Sequence, residues 1–136
     1  MAENYVVKRI DDMESAFWGA FKRARAELGV TSFGMQVFDL PPHAKGYPDH
    51  DHAGDGQEEV YVTLRGSAEM VVGGDTVQMT PDVLVAVPPA TKRVLTPGAD
   101  GIRMLVIGGV PGQPYEVNAA TDLGAPDPAA GQDPPQ

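Results

Sequence analysis

From Ser32 to about Ile107 the chain is a succession of short runs rich in Val, Phe, Tyr and Thr, separated by Gly, Pro and Asp. β-Branched and aromatic side chains suit a pleated, half-buried surface, and the residues between them turn the chain, so the pattern predicts many short antiparallel strands. Strands are expected near Phe33–Leu40, Tyr47–His52, Glu58–Leu64, Ala68–Val72, Thr76–Gln78, Val83–Val87, Lys92–Leu95 and Ile102–Ile107. Gly73-Gly74-Asp75 lies between two such runs and signals a tight hairpin, because glycine reaches positive φ without steric penalty. So many closely spaced strands can bury their apolar faces as a sandwich or a barrel. The expected fold class is all-β, with one N-terminal α-helix.

That helix is expected from Asp12 to Leu28, where Met13, Phe17, Phe21, Ala24 and Leu28 recur at spacings of three and four. Asp11 followed by Glu14 resembles a capping box, and Gly29 suits a C-terminal cap. Lys22, Arg23 and Arg25 then read as a solvated basic face. Tyr5–Lys8 is strand-like. From Gly124 to Gln136 there is almost no large apolar side chain to offset ordering entropy, which predicts a disordered tail. The expected organisation is therefore residues 1–31 as strand and helix packed on a barrel, 32–118 as the barrel and 119–136 as the tail.

The 136 residues suffice for one domain with a real core. A formal charge of −9 opposes binding to phosphate backbones and anionic lipid surfaces, so neither nucleic acid nor membrane is an expected partner. Without cysteine, disulfides, thiolate zinc sites and iron–sulfur clusters are excluded, and any metal must be held by nitrogen and oxygen. Met1–Arg9 lacks the basic-then-apolar pattern of a signal peptide, and no run of roughly 18 apolar residues occurs, which points to a cytoplasmic protein.

The three histidines, His43, His50 and His52, fall within ten residues. His50 and His52 flank one residue, so on a strand both imidazoles share a face. Glu59, Tyr61 and Thr63 share a face of the next strand. Two His and one carboxylate on neighbouring strands make a facial triad with open positions, suited to Fe, Mn, Ni or Zn. His43, beside Pro41-Pro42, reads as a solvated loop residue and only a reserve ligand, and Asp55 in the loop after His52 reads as a surface residue, with replacement of a missing ligand as the alternative.

His50-Asp51-His52 followed by the run from Glu58 to Gly66 resembles the first motif of the cupin superfamily, and Leu84–Thr91 resembles the second. The resemblance spans about Phe33 to Ile107 and implies a small cupin barrel, a double-stranded β-helix open at one end. It implies that His50, His52 and Glu59 are metal ligands; Glu59 rather than Glu58 stands seven positions before a glycine, Gly66. A fourth ligand, a His, is expected from the second motif, but the corresponding positions here are Ala90 and Arg93. Asp82 stands where a turn glycine is usual. A homodimer, with Tyr5–Ile10 pairing across subunits, also follows from the resemblance.

Arg93 cannot ligate a metal, since its guanidinium has no lone pair, but its planar fork suits an anion. An ion pair with Glu59 is the bland alternative. The leading expectation is a metal-binding cupin in which Arg93 orients an anionic small molecule and Tyr61 or Glu58 carries protons. The competing one is a metal-free binder that uses Arg93 and the histidines without turnover.

Overall fold

The computed structural model describes residues 4–45 and 47–134; the ends of the expected N-terminal segment and tail lie outside them. Two long strands, β4 (Glu58–Val72) and β7 (Arg93–Gly109), pair antiparallel from Glu58↔Gly109 to Val72↔Arg93. Around them lie β3 (Gly34–Leu40), β5 (Asp75–Met79) and β6 (Leu84–Val87). Each long strand unites two of the expected short ones, bent in the middle. On β4 the register with β7 shifts between Thr63 and Arg65 and again between Gly66 and Ala68, the mark of β-bulges. Gly66 has φ +77°, and a Cβ there would stand 2.1 Å from the Gly101 carbonyl oxygen; Gly101 has φ +68°, with a Cβ position 2.5 Å from the Leu40 oxygen. Neither site admits a side chain, so the two strands fold over together at this point.

The bend closes the barrel. The first half of β4 lies between β6 and the second half of β7, and its second half lies between β5 and the first half of β7. Gly73 and Gly74 both have positive φ, as the expected β4–β5 hairpin requires. Alternating residues point inward: Tyr61, Met70, Met79, Val87, Leu95, Ile102, Met104 and Val106 form the core, lined by Phe38, Leu40 and Tyr47. Each large side chain so buried contributes roughly 1.5–3 kcal/mol. The pliable methionines fill space that branched residues would leave irregular.

The expected helix from Asp12 to Leu28 does not form. A 3-10 turn at Ile10–Asp12 leads into a small hairpin of β1 (Ser15–Ala16) and β2 (Phe21–Lys22), and only Ala24–Leu28 is helical, as α1. Phe17, Trp18 and Gly19 turn the hairpin at positive φ. β2 pairs with β3 through Phe21↔Phe38 and Lys22↔Val37 and so lengthens the sheet order to β1-β2-β3-β7-β4-β5, with β6 beside β4. The helical period misleads because the aromatic residues pack edge-to-face in a chain across the hairpin: Phe17 on Phe21 at 6.4 Å and Phe21 on Phe38 at 5.3 Å. The supposed cap residues serve distant partners, Asp11 accepting from Arg103 and Glu14 from Arg23. Gly29 does end α1 at φ +72°, donating to Ala26 and Arg25 carbonyls.

The basic run is not a solvated face. Lys22, Arg23 and Arg25 are buried, facing Asp39, Glu14 and Asp122 respectively. Met13 and Ala24 cover Val37 on the outer side of β3, with Ile10, Met35 and Leu105 around them. Residues 119–134, expected to be disordered, carry a 3-10 turn at Ala119–Thr121 and lie against this N-terminal unit. Asp122 accepts from Arg25 at 2.6 Å, Gly124 N–H donates to Glu14, Asp127 accepts from Phe17 N–H, and the Gln132 carbonyl accepts from the Trp18 indole at 2.8 Å.

Candidate metal centre

The segment carrying the two histidines is not the strand expected over Tyr47–His52. It makes a single bridge, His50↔Arg93, in which each backbone N–H donates to the other's carbonyl, at 3.1 and 2.9 Å. Pro48 has no N–H to extend the ladder. His52 N–H then donates to the Pro89 carbonyl at 2.6 Å, so the segment is pinned to the end of β6 and the start of β7. Glu59 and Tyr61 face the interior from β4, as their alternation predicts.

One ligand atom from each of His50, His52 and Glu59 lies within 4.8 Å of the others, and all three residues are partly buried. The outer ring nitrogens are already committed. His50 Nδ1 lies 2.9 Å from the Pro48 carbonyl, which can only accept, so that nitrogen carries the proton in the neutral ring. His52 Nδ1 stands 3.1 Å from both oxygens of Asp55, with the same consequence. Both Nε2 lone pairs are thereby turned inward. They approach Glu59 Oε1 at 3.9 Å from His50 and 3.3 Å from His52. The shorter approach lacks hydrogen-bond alignment, and His52 Nε2 is buried without a hydrogen-bond partner. Two imidazole nitrogens and a carboxylate with mutually facing lone pairs fit a divalent cation: the donor set is of the right type and leaves coordination positions open.

Asp55 lies outside the His50/His52/Glu59 group and instead holds the orientation of the His52 ring through Nδ1. Burial pushes its carboxyl up, yet the Gln57 amide and the His52 ring outweigh this and hold it below the ordinary carboxylate value. The turn of the loop after His52, with Asp55 and Gly56 N–H donating to the His52 carbonyl, brings it back over the ring.

Tyr61 is fully buried, and its hydroxyl donates to Glu59 Oε1 at 2.8 Å. Burial, with the Tyr47 and Glu59 oxygens nearby, pushes its pKa far above the ordinary phenol value; burial likewise lifts Tyr47 to about 12. The Tyr61 hydroxyl thereby holds the Glu59 carboxylate in place. The structure places Glu58 on the exposed side of β4 and His43 exposed at φ +53°, neither of them within the His50/His52/Glu59 group.

Arg93 is 0 % exposed. The ion pair with Glu59 weighed from sequence is not made: Glu59 Oε1 faces Tyr61 and the histidines instead. Arg93 Nη2 donates to the Val87 and Pro88 carbonyls at 3.4 and 3.1 Å, while Nε and Nη1 are buried with no hydrogen-bond partner among the described residues. Both two-pronged edges of a guanidinium include Nη2. With that nitrogen occupied, the fork expected for a bidentate carboxylate is half used, and Nη1 is left for a single contact.

A cleft of about 570 Å³ near the bend of β4, lined by Trp18, Pro41, Arg65, Asp100 and Arg103 among others, includes none of these residues. Nothing in the sequence pattern signalled it, because it forms where the N-terminal hairpin turn meets the bend.

No protein-family model matches the sequence, and no curated protein does. Solved structures do match. A cupin protein from Bacteroides fragilis superposes with TM-score 0.66 at 21 % identity, over 89 % of this chain and 96 % of that one. A sugar phosphate isomerase of the cupin superfamily from Silicibacter pomeroyi gives TM-score 0.60 at 20 % identity, over 74 % and 73 %. With the antiparallel barrel, the glycine-enforced bend and the inward His50, His52 and Glu59, these likenesses identify the fold: the chain is a small β-barrel of the cupin fold.

Proposed function

We propose that the protein holds a divalent metal ion, one of Mn, Fe, Ni or Zn, through His50, His52 and Glu59, and through it a small anionic molecule at the barrel mouth. The observation that carries this reading is the commitment of both Nδ1 atoms, to Pro48 and Asp55, which turns two bare Nε2 atoms toward Glu59 Oε1. Such a set is repulsive until a positive charge enters it. When bound, the metal would act as a Lewis acid with exchangeable positions, the chemistry on which a metal-dependent activity would rest. The chain's own residues orient the ligands: Asp55 holds His52, Tyr61 holds Glu59, and the Arg93 backbone holds His50. The isomerase activity named for one relative of this fold does not carry over on fold alone.

A second reading, a metal-free anion binder, draws support from the unpaired Nη1 of buried Arg93. Metal analysis of untagged protein, followed by titration with Mn, Fe, Ni and Zn, separates the two. The proposal expects one tight site per chain, released by chelator with a fall in melting temperature. A chain that takes up none of the four metals, and melts identically with chelator, overturns it in favour of the anion binder.

A further inference from the structure

We infer that Arg93 makes the metal centre anion-dependent: its buried guanidinium beside His50 lowers the site's affinity for a bare cation and restores it when a small oxyanion ligates that cation. The inference rests on the metal reading above and adds a coupling to it.

The reciprocal backbone bonds make His50 and Arg93 a hydrogen-bonded antiparallel pair, and side chains of such a pair leave the same face as near neighbours. The Arg93 side chain therefore leaves β7 on the same side as the ring that would hold the metal. The Tyr47 ring lies 5.8 Å from that His50 ring, and the Tyr47 hydroxyl is 3.5 Å from the Tyr61 hydroxyl that donates to Glu59. Ligands and tyrosines thus form one contiguous cluster, with the Arg93 side chain on its face. Most buried arginines meet a carboxylate; this one is fully buried and, among the described residues, donates only to the carbonyls of Val87 and Pro88. Within the cluster the charges are Glu59 at −1 and Arg93 at +1, which cancel; a divalent cation then leaves +2 in a poorly solvated barrel. Asp55 offsets little of this because it is half exposed. An oxyanion on an open coordination position lowers that charge and can accept from the unpartnered Nη1. Since Nη2 is committed, the match at Nη1 is to one oxygen, as a monocarboxylate whose other oxygen is on the cation would present, and not to both oxygens side-on.

The test measures Mn(II) affinity by isothermal titration, at constant ionic strength, in chloride and in acetate. Acetate is expected to tighten Mn(II) binding about tenfold in the unaltered protein. Arg93→Met should bind Mn(II) more tightly than the unaltered protein in chloride and should lose the acetate effect. Arg93→Gln, neutral but able to keep a donor toward Val87 and Pro88, serves if the Met variant does not fold. Where Mn(II) does not bind, Fe(II), Ni(II) or Zn(II) takes its place in the same titration, and failure of the unaltered protein to bind any of the four in either salt overturns the metal reading itself. Tight Mn(II) binding that ignores acetate, or an acetate effect unchanged in the variants, overturns the coupling and leaves the metal site standing.

Discussion

Arg93 and Arg103 lie on the same strand, β7, and are paired in opposite ways. Arg103 donates through Nε and Nη2 to both oxygens of Asp39, at 2.7 and 2.8 Å, and its Nη2 also donates to Asp11. These carboxylates hold the Arg103 pKa above its ordinary value. Arg93 has no carboxylate partner among the described residues, and the Nε2 atoms of His50 and His52 face Glu59 Oε1, which already accepts from Tyr61. A polar cluster that only supports a fold is expected to satisfy its own donors and acceptors. The Arg103 cluster does; the Arg93 end leaves groups unmatched, as Arg23 Nε and Arg25 Nε are elsewhere, but only there do they accompany a His50/His52/Glu59 group that could hold an ion.

The largest effect that would break this contrast is at the ligands. In about a hundredfold excess of zinc over its dissociation constant, the unaltered protein should gain roughly 2.7 kcal/mol of stability, and Glu59→Gln or His52→Ala should gain none. Thermal melts with and without zinc measure it; a full gain in either variant puts the ion elsewhere. Next comes Arg103→Gln, expected to lose about 2 kcal/mol in urea unfolding because charge-assisted bonds to Asp39 are lost. The loss should be equal with and without zinc, and a changed zinc affinity would show that the two clusters are not separate. Asp55→Asn should leave unfolding unaltered and weaken zinc about tenfold, the lower end of the range for an orienting residue, since Asp55 is half exposed.

The smallest effect concerns the clasp between tail and N-terminal hairpin. Backbone N–H donors, with Arg23, hold the Glu14 and Asp127 carboxyls below their ordinary values of 4.5 and 3.8. Their contribution is complete above those values and is lost as pH falls through the lower folded ones. The chain's single tryptophan, Trp18, bonded to the tail at Gln132, should therefore change its fluorescence below about pH 4 while zinc-free barrel circular dichroism persists. Simultaneous loss of both signals would deny the clasp its independence.

The barrel was legible because its strands obey local rules: alternation on β4, paired glycines at the β4–β5 turn, and Gly66 where the bend forbids a side chain. The grouping of His50, His52 and Glu59 was legible from the alternation on β4 and from the proximity of His50 and His52 in sequence, which made up for the missing strand. What was not legible depends on distant partners. Phe17 and Phe21 read as one helix face until Phe38 is placed beside them, and Arg23 and Arg25 read as solvated until the tail reaches them with Pro126 and Asp122. Asp55 was seen as a spare ligand, since only the folded loop shows it on Nδ1 of His52 rather than on Nε2. Arg93 read as an open fork, since the Val87 and Pro88 carbonyls that take Nη2 belong to the end of β6 and the turn after it.

The central claim, that two bare Nε2 atoms await a cation, can be read directly by nitrogen-15 NMR of the imidazoles at mildly alkaline pH. The chain has three histidines, and exposed His43 serves as an internal control. The account predicts His50 and His52 in the Nδ1–H form, with both Nε2 resonances shifting together as one equivalent of zinc is added, and His43 unmoved. Doubly protonated rings on His50 and His52, ion-paired with Glu59 and indifferent to zinc, would contradict it.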